Sequence, residues 1–365
     1  MKIQRVFVLA GEASGDLHAS NLIKEMLKIN PEIQFTGWGG DKMKSVGVDI
    51  LKELKELSFM GFLEVLMNIH KIRKNFRDCK EQLISHKIDT IILVDYPGFN
   101  LRMAKWCKMH GIHVIYYISP QVWAWKKNRV FTVSKYVDCM YCILPFEVQF
   151  YKYFSIDTHY FGHPLLDEIK SFRESPTIAK IETSSPILAI LPGSRKQEIE
   201  RKLPVMIAAA KQIHAYRIVV ACAPNLPLVF YDPYRCNGIE FIQHKTYELL
   251  NTATMAIVTS GTATLETALF NVPQVVCYKS SSLSYWIAKK LVKIKYISLV
   301  NLILDKTVVT ELIQNECTSE RIYQELLKIV PDGIETNKML DEYKRLVQLL
   351  GDSGASKRIA THLLN

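Results

Sequence analysis

The sequence lacks any apolar run close to the ~18 residues that a membrane-spanning helix needs. Its opening segment, MKIQRVFVLA, is apolar, but the acidic GEASGD follows at the point where a signal peptide would continue. We therefore expect a cytoplasmic, unprocessed protein that has no spanning helix.

Patterns typical of metal sites and disulfides are also missing. The eight cysteines are scattered, and the closest pair, Cys139 and Cys142, lies in VDCMYCILPF, which has the composition of a buried strand. No second Cys or His pair at zinc spacing accompanies it. We expect reduced thiols in the core and no metal site.

Two nucleotide-binding signatures are absent as well. The chain contains no Asp-x-Asp, the usual clasp for a divalent metal on a nucleotide-sugar, and no GxxxxGK[ST], which excludes a P-loop enzyme. A diphosphate would then be neutralised by arginine and helix N-termini, so we expect no cofactor.

What the chain has in excess is positive charge. Forty-six Lys and Arg against 36 Asp and Glu give a net charge of +10 at pH 7, which favours a phosphorylated ligand, nucleic acid or an acidic membrane surface. Hydrophobic residues make up 48% and charged residues 22%, which excludes disorder, collagen and a coiled coil. The length of 365 residues exceeds the ~250–300 residues of one core, so two domains are expected.

Short apolar runs alternate with amphipathic stretches, the pattern of βαβ units that build parallel sheets. The predicted strands are Arg5–Ala10, Gln34–Trp38, Thr90–Asp95, His113–Ile118, Cys139–Leu144, Thr158–Phe161, Ile187–Leu191, Arg217–Ala221, Ile239–Ile242, Met255–Thr259 and Gln274–Tyr278.

These strands predict an α/β fold with two Rossmann-like domains facing each other across a cleft. We place the first domain at 1–168 and the second at 187–340, separated by a Ser-, Thr-, Glu- and Pro-rich linker at 170–186. Residues 341–365 form a C-terminal helical segment, for which packing on the first domain and packing on a partner chain both stay open.

Ligands of such sheets bind beyond the carboxyl ends of the strands, and two junctions of the first domain carry carboxylates there. GEASGD offers helix N–H groups, and we predict an acceptor site lined by Glu12, Ser14 and Asp16, with a capped tight turn as the alternative. DYPGFN places Asp95 at the exit of a buried strand, where desolvation favours a general base. Asp95 is therefore our candidate catalytic base, with a helix cap as the alternative.

Two strand–turn–helix junctions of the second domain predict a nucleotide diphosphate site. In LPGSR, Arg195 can pair bidentately with a phosphate that the turn also holds, whereas a surface arginine is the alternative. In SGTATLE, small hydroxyl residues cradle a pyrophosphate and Glu266 accepts hydrogen bonds from a ribose, whereas an ordinary helix cap is the alternative. The predicted nucleotide-binding residues are Gly193, Ser194, Arg195, Ser260, Gly261, Thr262, Thr264 and Glu266.

Residues 59–77, FMGFLEVLMNIHKIRKNFR, combine a broad apolar face with cations at one end. They predict an interfacial helix on anionic lipid, with a core helix as the alternative. The predicted membrane contacts are Phe59, Met60, Phe62, Leu66, Lys71, Arg73 and Lys74. Residues 119–129 place two tryptophans beside three cations, which predicts either a core helix or a lip that binds a lipid-like anion.

Together these motifs resemble the lipid A disaccharide synthase family, inverting glycosyltransferases of the GT-B fold. The matching motifs occur in the family's order and cover most of the chain. Val300 and Thr310 are mild departures, since the family often has Pro at these positions. Its longest motifs are GEASGDLHASNLI at 11–23, DYPGFNLRMAK at 95–105, YYISPQVWAWKKNR at 116–129, FGHPLLD at 161–167, LPGSRKQEI at 191–199, SGTATLE at 260–266 and SLVNLIL at 298–304.

The resemblance implies transfer of 2,3-diacylglucosamine from UDP-2,3-diacylglucosamine to 2,3-diacylglucosamine 1-phosphate, with inversion, at the cytoplasmic face of a Gram-negative inner membrane. On this hypothesis Asp95 accepts the proton of the acceptor 6-hydroxyl. Arg195 and the 260–264 turn stabilise the leaving diphosphate, and Glu266 holds the ribose. Asn301, carried over from the family motif, is a further site residue without an assigned role.

Three other functions compete with this hypothesis. A UDP-N-acetylglucosamine 2-epimerase shares the two-domain fold and a Ser-Gly diphosphate turn but has no need of the basic apolar segment. A lipid-surface sensor that binds a nucleotide-sugar without turnover is a non-enzymatic alternative. Nucleic-acid binding is disfavoured because the cations follow no recognisable DNA or RNA module. The sequence leaves the oligomeric state open, and a homodimer is compatible with it.

Overall fold

The computed structural model describes residues 3–57, 69–124, 127–176, 181, 185–281 and 295–365. The chain divides into two compact units. The first unit is Met1–Asp167 together with Asp352–Asn365, and the second unit is Glu168–Gly351. Each unit contains its own parallel sheet flanked by helices. The predicted α/β fold with two Rossmann-like domains is thereby confirmed.

The sheet of the first unit is seven-stranded within the described residues. Its strands in chain order are β1 (Arg5–Ala10), β2 (Gln34–Gly39), β3 (Asp49–Glu53), β4 (Thr90–Val94), β5 (His113–Tyr117), β6 (Cys139–Cys142) and β7 (Thr158–Tyr160). They lie in the order β3-β2-β1-β4-β5-β6-β7. The central strand β4 is TIILV with every residue buried, as expected for a parallel strand covered by helices on both faces.

The helices of the first unit cover both faces of that sheet. They are α1 (Ala13–Ile29), α2 (Asp41–Ser45), α3 (Leu54–Leu57), α4 (Ile69–Ser85), α5 (Pro97–Met109), α6 (Val130–Tyr136) and α7 (Glu147–Lys152), followed by α8 (Leu165–Glu174), in which the chain passes to the second unit. Phe7 and Leu9 belong to the core of one face, and Val6 and Val8 to the core of the other. This division follows from the alternation of side chains along a strand.

The second unit repeats the same plan with a sheet that has six strands among the residues described. Its strands are β8 (Ile187–Leu191), β9 (Arg217–Cys222), β10 (Ile239–Gln243), β11 (Met255–Thr259), β12 (Gln274–Tyr278) and β13 (Thr310–Ile313), in the order β10-β9-β8-β11-β12-β13. Its helices are α9 (Lys196–Ala210), α10 (Thr246–Leu250), α11 (Thr262–Leu269), α12 (Leu299–Leu304), α13 (Ser319–Lys328) and α14 (Ile334–Leu350).

The C-terminal part of the chain divides at a different residue from the one predicted. The predicted boundary at 341 falls inside α14, whose buried residues Met339, Tyr343 and Leu346 belong to the second unit. Gly351 ends this helix with a φ of +77°, a conformation that favours glycine. The predicted linker likewise overlaps α8, which continues to Glu174.

The last helix, α15 (Ala355–Leu364), returns to the first unit and packs along α1. Ile359 and Ala360 enter the core of one sheet face. The start of the helix is capped by Asp167, whose carboxylate accepts hydrogen bonds from the backbone N–H groups of Ala355 at 3.2 Å and Ser356 at 3.0 Å. The sequence left open whether this helix packs on the first domain or on a partner chain. In the structure it packs on the first unit.

Candidate active site

The strand order of each sheet reverses at one point, and that point locates the site. In the first unit β1 pairs with β4, and in the second unit β8 pairs with β11. Connections leave these neighbouring strands in opposite directions, which opens a crevice at their carboxyl ends. The segments after these four strands are GEASGD, DYPGFN, PGSR and SGTATLE. The four predicted motifs therefore meet in pairs, one pair at the switch point of each unit.

In the first unit the two motifs are in contact. A Cβ placed on Gly11 would stand 2.5 Å from Cγ of Tyr96, so the backbone after β1 lies directly on the tyrosine ring that follows β4. Burial raises the pKa of the Tyr96 hydroxyl, and the nearby Glu12 carboxylate raises it further. Only glycine fits at position 11 without displacing that ring.

Asp95 occupies a strained but well-supported backbone position. Asp95 and Tyr96 both have left-handed backbones, with φ of 45° and 46°, an arrangement that non-glycine residues adopt only when their surroundings enforce it. The Asn100 amide donates a hydrogen bond to the Asp95 carbonyl at 2.8 Å, and the Tyr116 hydroxyl donates to the same oxygen at 2.6 Å. The Asp95 N–H donates to the Tyr117 carbonyl at 3.1 Å. These three hydrogen bonds fix the backbone of Asp95 and therefore the point from which its side chain extends. The residue is partly buried.

The segment after β5 also reaches this site. Tyr116 is fully buried, which raises the pKa of its hydroxyl; Asp95 raises that pKa further, whereas Arg129 lowers it. Both charged groups are therefore close enough to act on the same hydroxyl. Trp125 and Lys126 lie outside the described residues.

A buried carboxyl after β6 was not anticipated from the sequence. Glu147 has no exposed surface; it accepts hydrogen bonds from the Trp123 indole N–H at 2.9 Å and the Leu144 N–H at 3.1 Å. Burial raises the pKa of Glu147 to about 7, although these donors oppose the shift. The available signal was its place just beyond a buried strand. Glu147 thus anchors Trp123 in the segment after β5.

The Asp16 carboxylate forms its hydrogen bonds within the first unit. Its side chain is buried, and its carboxylate accepts backbone N–H bonds from Gly40 at 2.7 Å, Lys42 at 3.1 Å and Met43 at 3.2 Å. Both carboxylate oxygens thus hold the turn between β2 and α2. Glu12 is partly buried and Ser14 is exposed at the start of α1, so these two remain the candidates for the acceptor side.

In the second unit the turn after β8 lies against the last residue of β11. Gly193 has a φ of +112°, and a Cβ placed there would stand 3.4 Å from Cγ2 of Thr259 and 3.0 Å from Oε2 of Glu198. The hydroxyl of Thr259 is buried and has no hydrogen-bond partner within the described residues. Thr259, one residue before the predicted SGTATLE segment, thus places an unsatisfied hydroxyl beneath the PGSR turn.

Arg195 belongs to a short charged chain. It is half-exposed, and its Nη1 lies 3.3 Å from Oε1 of Glu198, while the Nζ of Lys202 lies 3.8 Å from Oε2 of the same residue. Lys202 is buried, which lowers its pKa. From the sequence Glu198 had no assigned role and Lys202 was not named, although their positions three and seven residues after Arg195 were a usable signal. Glu198 orients Arg195, and Lys202 adds positive charge below the turn.

The SGTATLE turn uses some of its polar groups internally. The Ser260 hydroxyl donates to the Ile297 carbonyl at 2.8 Å, and the buried Thr264 hydroxyl donates to the Gly261 carbonyl at 2.8 Å. Gly261 and Thr262 are exposed where α11 begins, and a helix start leaves N–H groups without intrahelical partners. The backbone at residues 261 and 262 is therefore better placed to meet an anion than the hydroxyls of Ser260 and Thr264.

Glu266 lies one turn into α11 and is partly buried. The Tyr247 hydroxyl donates to its Oε1 at 3.0 Å. Burial raises the pKa of Glu266, and the neighbouring Glu168 raises it further. The hydrogen bond from a ribose to Glu266 stays a prediction.

Asn301, the residue carried over from the family motif, is fully buried and structural. Its Oδ1 accepts hydrogen bonds from the N–H groups of Val308 at 2.8 Å and Val309 at 2.9 Å. Its Nδ2 donates to the Val309 carbonyl at 2.8 Å and to Oε1 of Glu311 at 2.9 Å. The amide thus holds the loop between α12 and β13, and its hydrogen-bonding capacity is used within the protein.

The proposed membrane contacts are only partly within the described chain. Lys71, Arg73 and Lys74 are exposed on the first half of α4. Phe59, Met60, Phe62 and Leu66 lie outside the described residues. Among the helices that the structure describes, none has both the length and the apolar composition to cross a bilayer.

Two Rossmann-like units with paired motifs at their switch points define the chain as a protein of the GT-B fold. Solved structures agree: UDP-GlcNAc 2-epimerase from Neisseria meningitidis has a TM-score of 0.67 at 13% identity, covering 99% of this chain and 100% of its own. The calicheamicin glycosyltransferase CalG4 has a TM-score of 0.62 at 14% identity, covering 100% of this chain and 98% of its own. At these identities the likeness concerns the fold.

The sequence comparisons identify the family. Residues 6–362 match the family model described as lipid-A-disaccharide synthetase. The lipid-A-disaccharide synthase of Myxococcus xanthus is 38% identical over 373 aligned positions, which cover 99% of this chain and 97% of that protein. The chain belongs to the lipid-A-disaccharide synthetase family and is a glycosyltransferase, as the sequence motifs predicted.

Proposed function

We propose that the chain transfers 2,3-diacylglucosamine from UDP-2,3-diacylglucosamine to 2,3-diacylglucosamine 1-phosphate. The products are the β-1,6-linked disaccharide 1-phosphate and UDP, with inversion at the anomeric carbon. The family match over residues 6–362 carries this proposal, because it includes the switch-point motifs of both units. The net charge of +10 suits two anionic substrates.

In the proposed reaction Asp95 is the general base. It takes the proton of the acceptor 6-hydroxyl while the oxygen attacks the anomeric carbon of the donor. The bond from that carbon to the diphosphate breaks, and its electron pair leaves with UDP. The hydrogen bonds to the Asp95 backbone from Asn100 and Tyr116 support this role, because a base must be held within reach of the proton that it removes.

The second unit would stabilise the leaving UDP. Arg195 pairs with the diphosphate, and the exposed start of α11 contributes backbone N–H groups. Glu266 accepts a hydrogen bond from the ribose. These groups supply positive charge without a metal, and with no Asp-x-Asp in the sequence we propose that the reaction needs neither metal ion nor cofactor.

The acylated substrates imply a lipid surface. We propose that residues 59–77 rest on the cytoplasmic face of the inner membrane, with Lys71, Arg73 and Lys74 toward anionic headgroups. The exposure of these three residues on α4 supports that arrangement. Glu12 and Ser14 would line the acceptor side of the site.

A reconstituted reaction tests the proposal. Purified protein in detergent is incubated with both acylated substrates in EDTA, and UDP release and product mass are followed. A tetraacyl disaccharide 1-phosphate is the expected product. UDP release only after Mg²⁺ or Mn²⁺ is restored would contradict the metal-free step. Conversion of UDP-N-acetylglucosamine without lipid would favour an epimerase, and UDP binding with unchanged acylated donor would favour a sensor.

A further inference from the structure

Three potential metal ligands converge in the first unit, away from the motifs described above. One ligand atom each from Cys139, His159 and His362 lies within 4.8 Å of the other two. Cys139 begins β6, His159 lies in β7 and His362 lies in the last turn of α15. Their separation along the chain explains why no zinc spacing is visible in the sequence.

A fourth ligand belongs to the same cluster. Oδ1 of Asp157 lies 3.0 Å from Nε2 of His159, and the Asp157 carboxyl also interacts with the Cys139 thiol. The cluster therefore offers one sulfur, two imidazoles and one carboxylate. Four ligands of these types match the tetrahedral coordination of a structural zinc ion.

The Tyr141 hydroxyl contacts two of these ligands. It lies 2.7 Å from Nδ1 of His362, and it also hydrogen-bonds with the Cys139 thiol. The ring centroids of His159 and His362 are 4.2 Å apart. Tyr141 thus holds the side chains of Cys139 and His362 next to each other.

We propose that Cys139, Asp157, His159 and His362 bind a Zn²⁺ ion. Neighbouring ligand atoms in tetrahedral zinc are about 3.3–3.6 Å apart, given the usual zinc–ligand distances, so the cluster closes modestly around the ion. Binding releases the Cys139 thiol proton to solvent and forms a zinc–thiolate bond. No oxidation or reduction is involved.

The position of the cluster gives the ion a structural task. Cys139 is at the amino end of β6, whereas the active-site segments follow the carboxyl ends of parallel strands. The ion would join the last two strands of the sheet to α15 and so fasten the terminal helix to the first unit. It takes no part in glycosyl transfer, so the two proposals are independent.

The primary test is zinc stoichiometry. Protein without an affinity tag is incubated with zinc sulfate, separated from free metal by gel filtration and measured by elemental mass spectrometry. We expect about one zinc per chain, as for a closed four-ligand site. His362→Ala should retain less than a fifth of it, while His214→Ala, which removes an exposed histidine of the second unit, should retain all. Wild-type protein without zinc, or His362→Ala with undiminished zinc, would overturn the proposal.

Cobalt substitution tests the thiolate directly. Co²⁺ bound by Cys139 should produce a thiolate-to-cobalt charge-transfer band in the near ultraviolet, and Cys139→Ser should lose the band. Wild-type protein should also melt at a higher temperature with zinc than with a chelator, whereas His362→Ala should show no such difference. A cobalt spectrum without the band, or an equal zinc shift in both proteins, would contradict the site. Neither readout depends on turnover.

Discussion

The switch points of the two units are built on the same strand order but with opposite chemistry. The first unit carries the carboxyl groups of Glu12 and Asp95 beside Tyr96, whose ring lies against Gly11. The second unit brings together the cations Arg195 and Lys202 and an exposed helix start. One topology thus carries carboxyl groups at the switch point of one unit and cations at that of the other, which is why the fold alone does not specify the reaction.

The backbones at these points differ in a related way. In the first unit the left-handed positions are Asp95 and Tyr96, whereas in the second unit they are Gly193 and Gly261. Glycine adopts this conformation without strain and lets a ligand approach the backbone. Aspartate adopts it only under constraint. Strain is therefore retained where a side chain is needed, and glycine is used where backbone N–H groups are needed.

The largest expected effect is on the carboxylate of the first unit. Asp95→Asn should reduce turnover by about 10²–10⁴-fold, the usual contribution of a general base, while UDP affinity stays near that of the wild type. Asparagine is chosen because it tolerates a left-handed backbone better than other residues. Initial rates and calorimetric UDP titration measure the two quantities. Activity equal to the wild type would remove Asp95 from the role of base.

The second unit should show the reverse pattern. Arg195→Gln should weaken UDP binding and lower kcat/KM together, the latter by about 10²–10³-fold, as for loss of a charge-stabilising donor. Arg201→Gln, an exposed position on the same helix, is the matched control and should change little. If Arg195→Gln left UDP affinity intact, the assignment of the leaving group to the second unit would fail.

A smaller effect is expected on the contact between the first unit's motifs. Gly11→Ala places a methyl group 2.5 Å from the Tyr96 ring and should lower the free energy of unfolding by about 1–3 kcal/mol through overpacking. Gly98→Ala is the control, since no atom lies within 4 Å of the added Cβ. Urea denaturation distinguishes them, and equal stability of the two variants would contradict the observed packing.

The last prediction concerns acid sensitivity of the first unit. Burial lowers the pKa of His18 to about 4 and that of His163 to about 3, below the unfolded value of about 6.5. As the pH falls below about 6.5, these two histidines bind protons in the unfolded chain but not in the folded one. The free energy of unfolding should therefore decrease toward pH 4. Each imidazole contributes up to about 1.4 kcal/mol per pH unit.

Denaturation at a series of pH values measures this slope. His163→Gln should lower the slope of stability against pH by up to about 1.4 kcal/mol per pH unit, the contribution of one proton. His214→Gln, at an exposed site, should lower the slope far less. An unchanged slope in His163→Gln would mean that this imidazole is protonated in the folded protein.

The sequence anticipated the elements and turns set by local patterns. Fully apolar runs such as TIILV predicted the inner strands, and the turns after them predicted the four motifs. Strands β3 and β13, at one edge of each sheet, were not predicted, because DILKE and TELI mix polar with apolar residues. The opposite edge strands, β7 and β10, were predicted. The sequence also did not predict the direction in which each polar side chain points.

Asp16 and Asn301 illustrate that limit. Both are motif residues with hydrogen-bonding groups, and both turned out to hold neighbouring backbone rather than line an open site. Glu147, Lys202 and the cluster around Cys139 were missed for the complementary reason. Their chemistry depends on burial and on partners distant in sequence, which spacing does not reveal.

The return of α15 to the first unit affects how the chain is completed on the ribosome. The face of the first sheet that packs α15 needs Ile359 and Ala360, which are synthesised after the whole of the second unit. Domains otherwise tend to fold in order of synthesis. Here the first unit is finished only after the second unit has been synthesised, so its uncovered apolar face must stay soluble while the second unit folds.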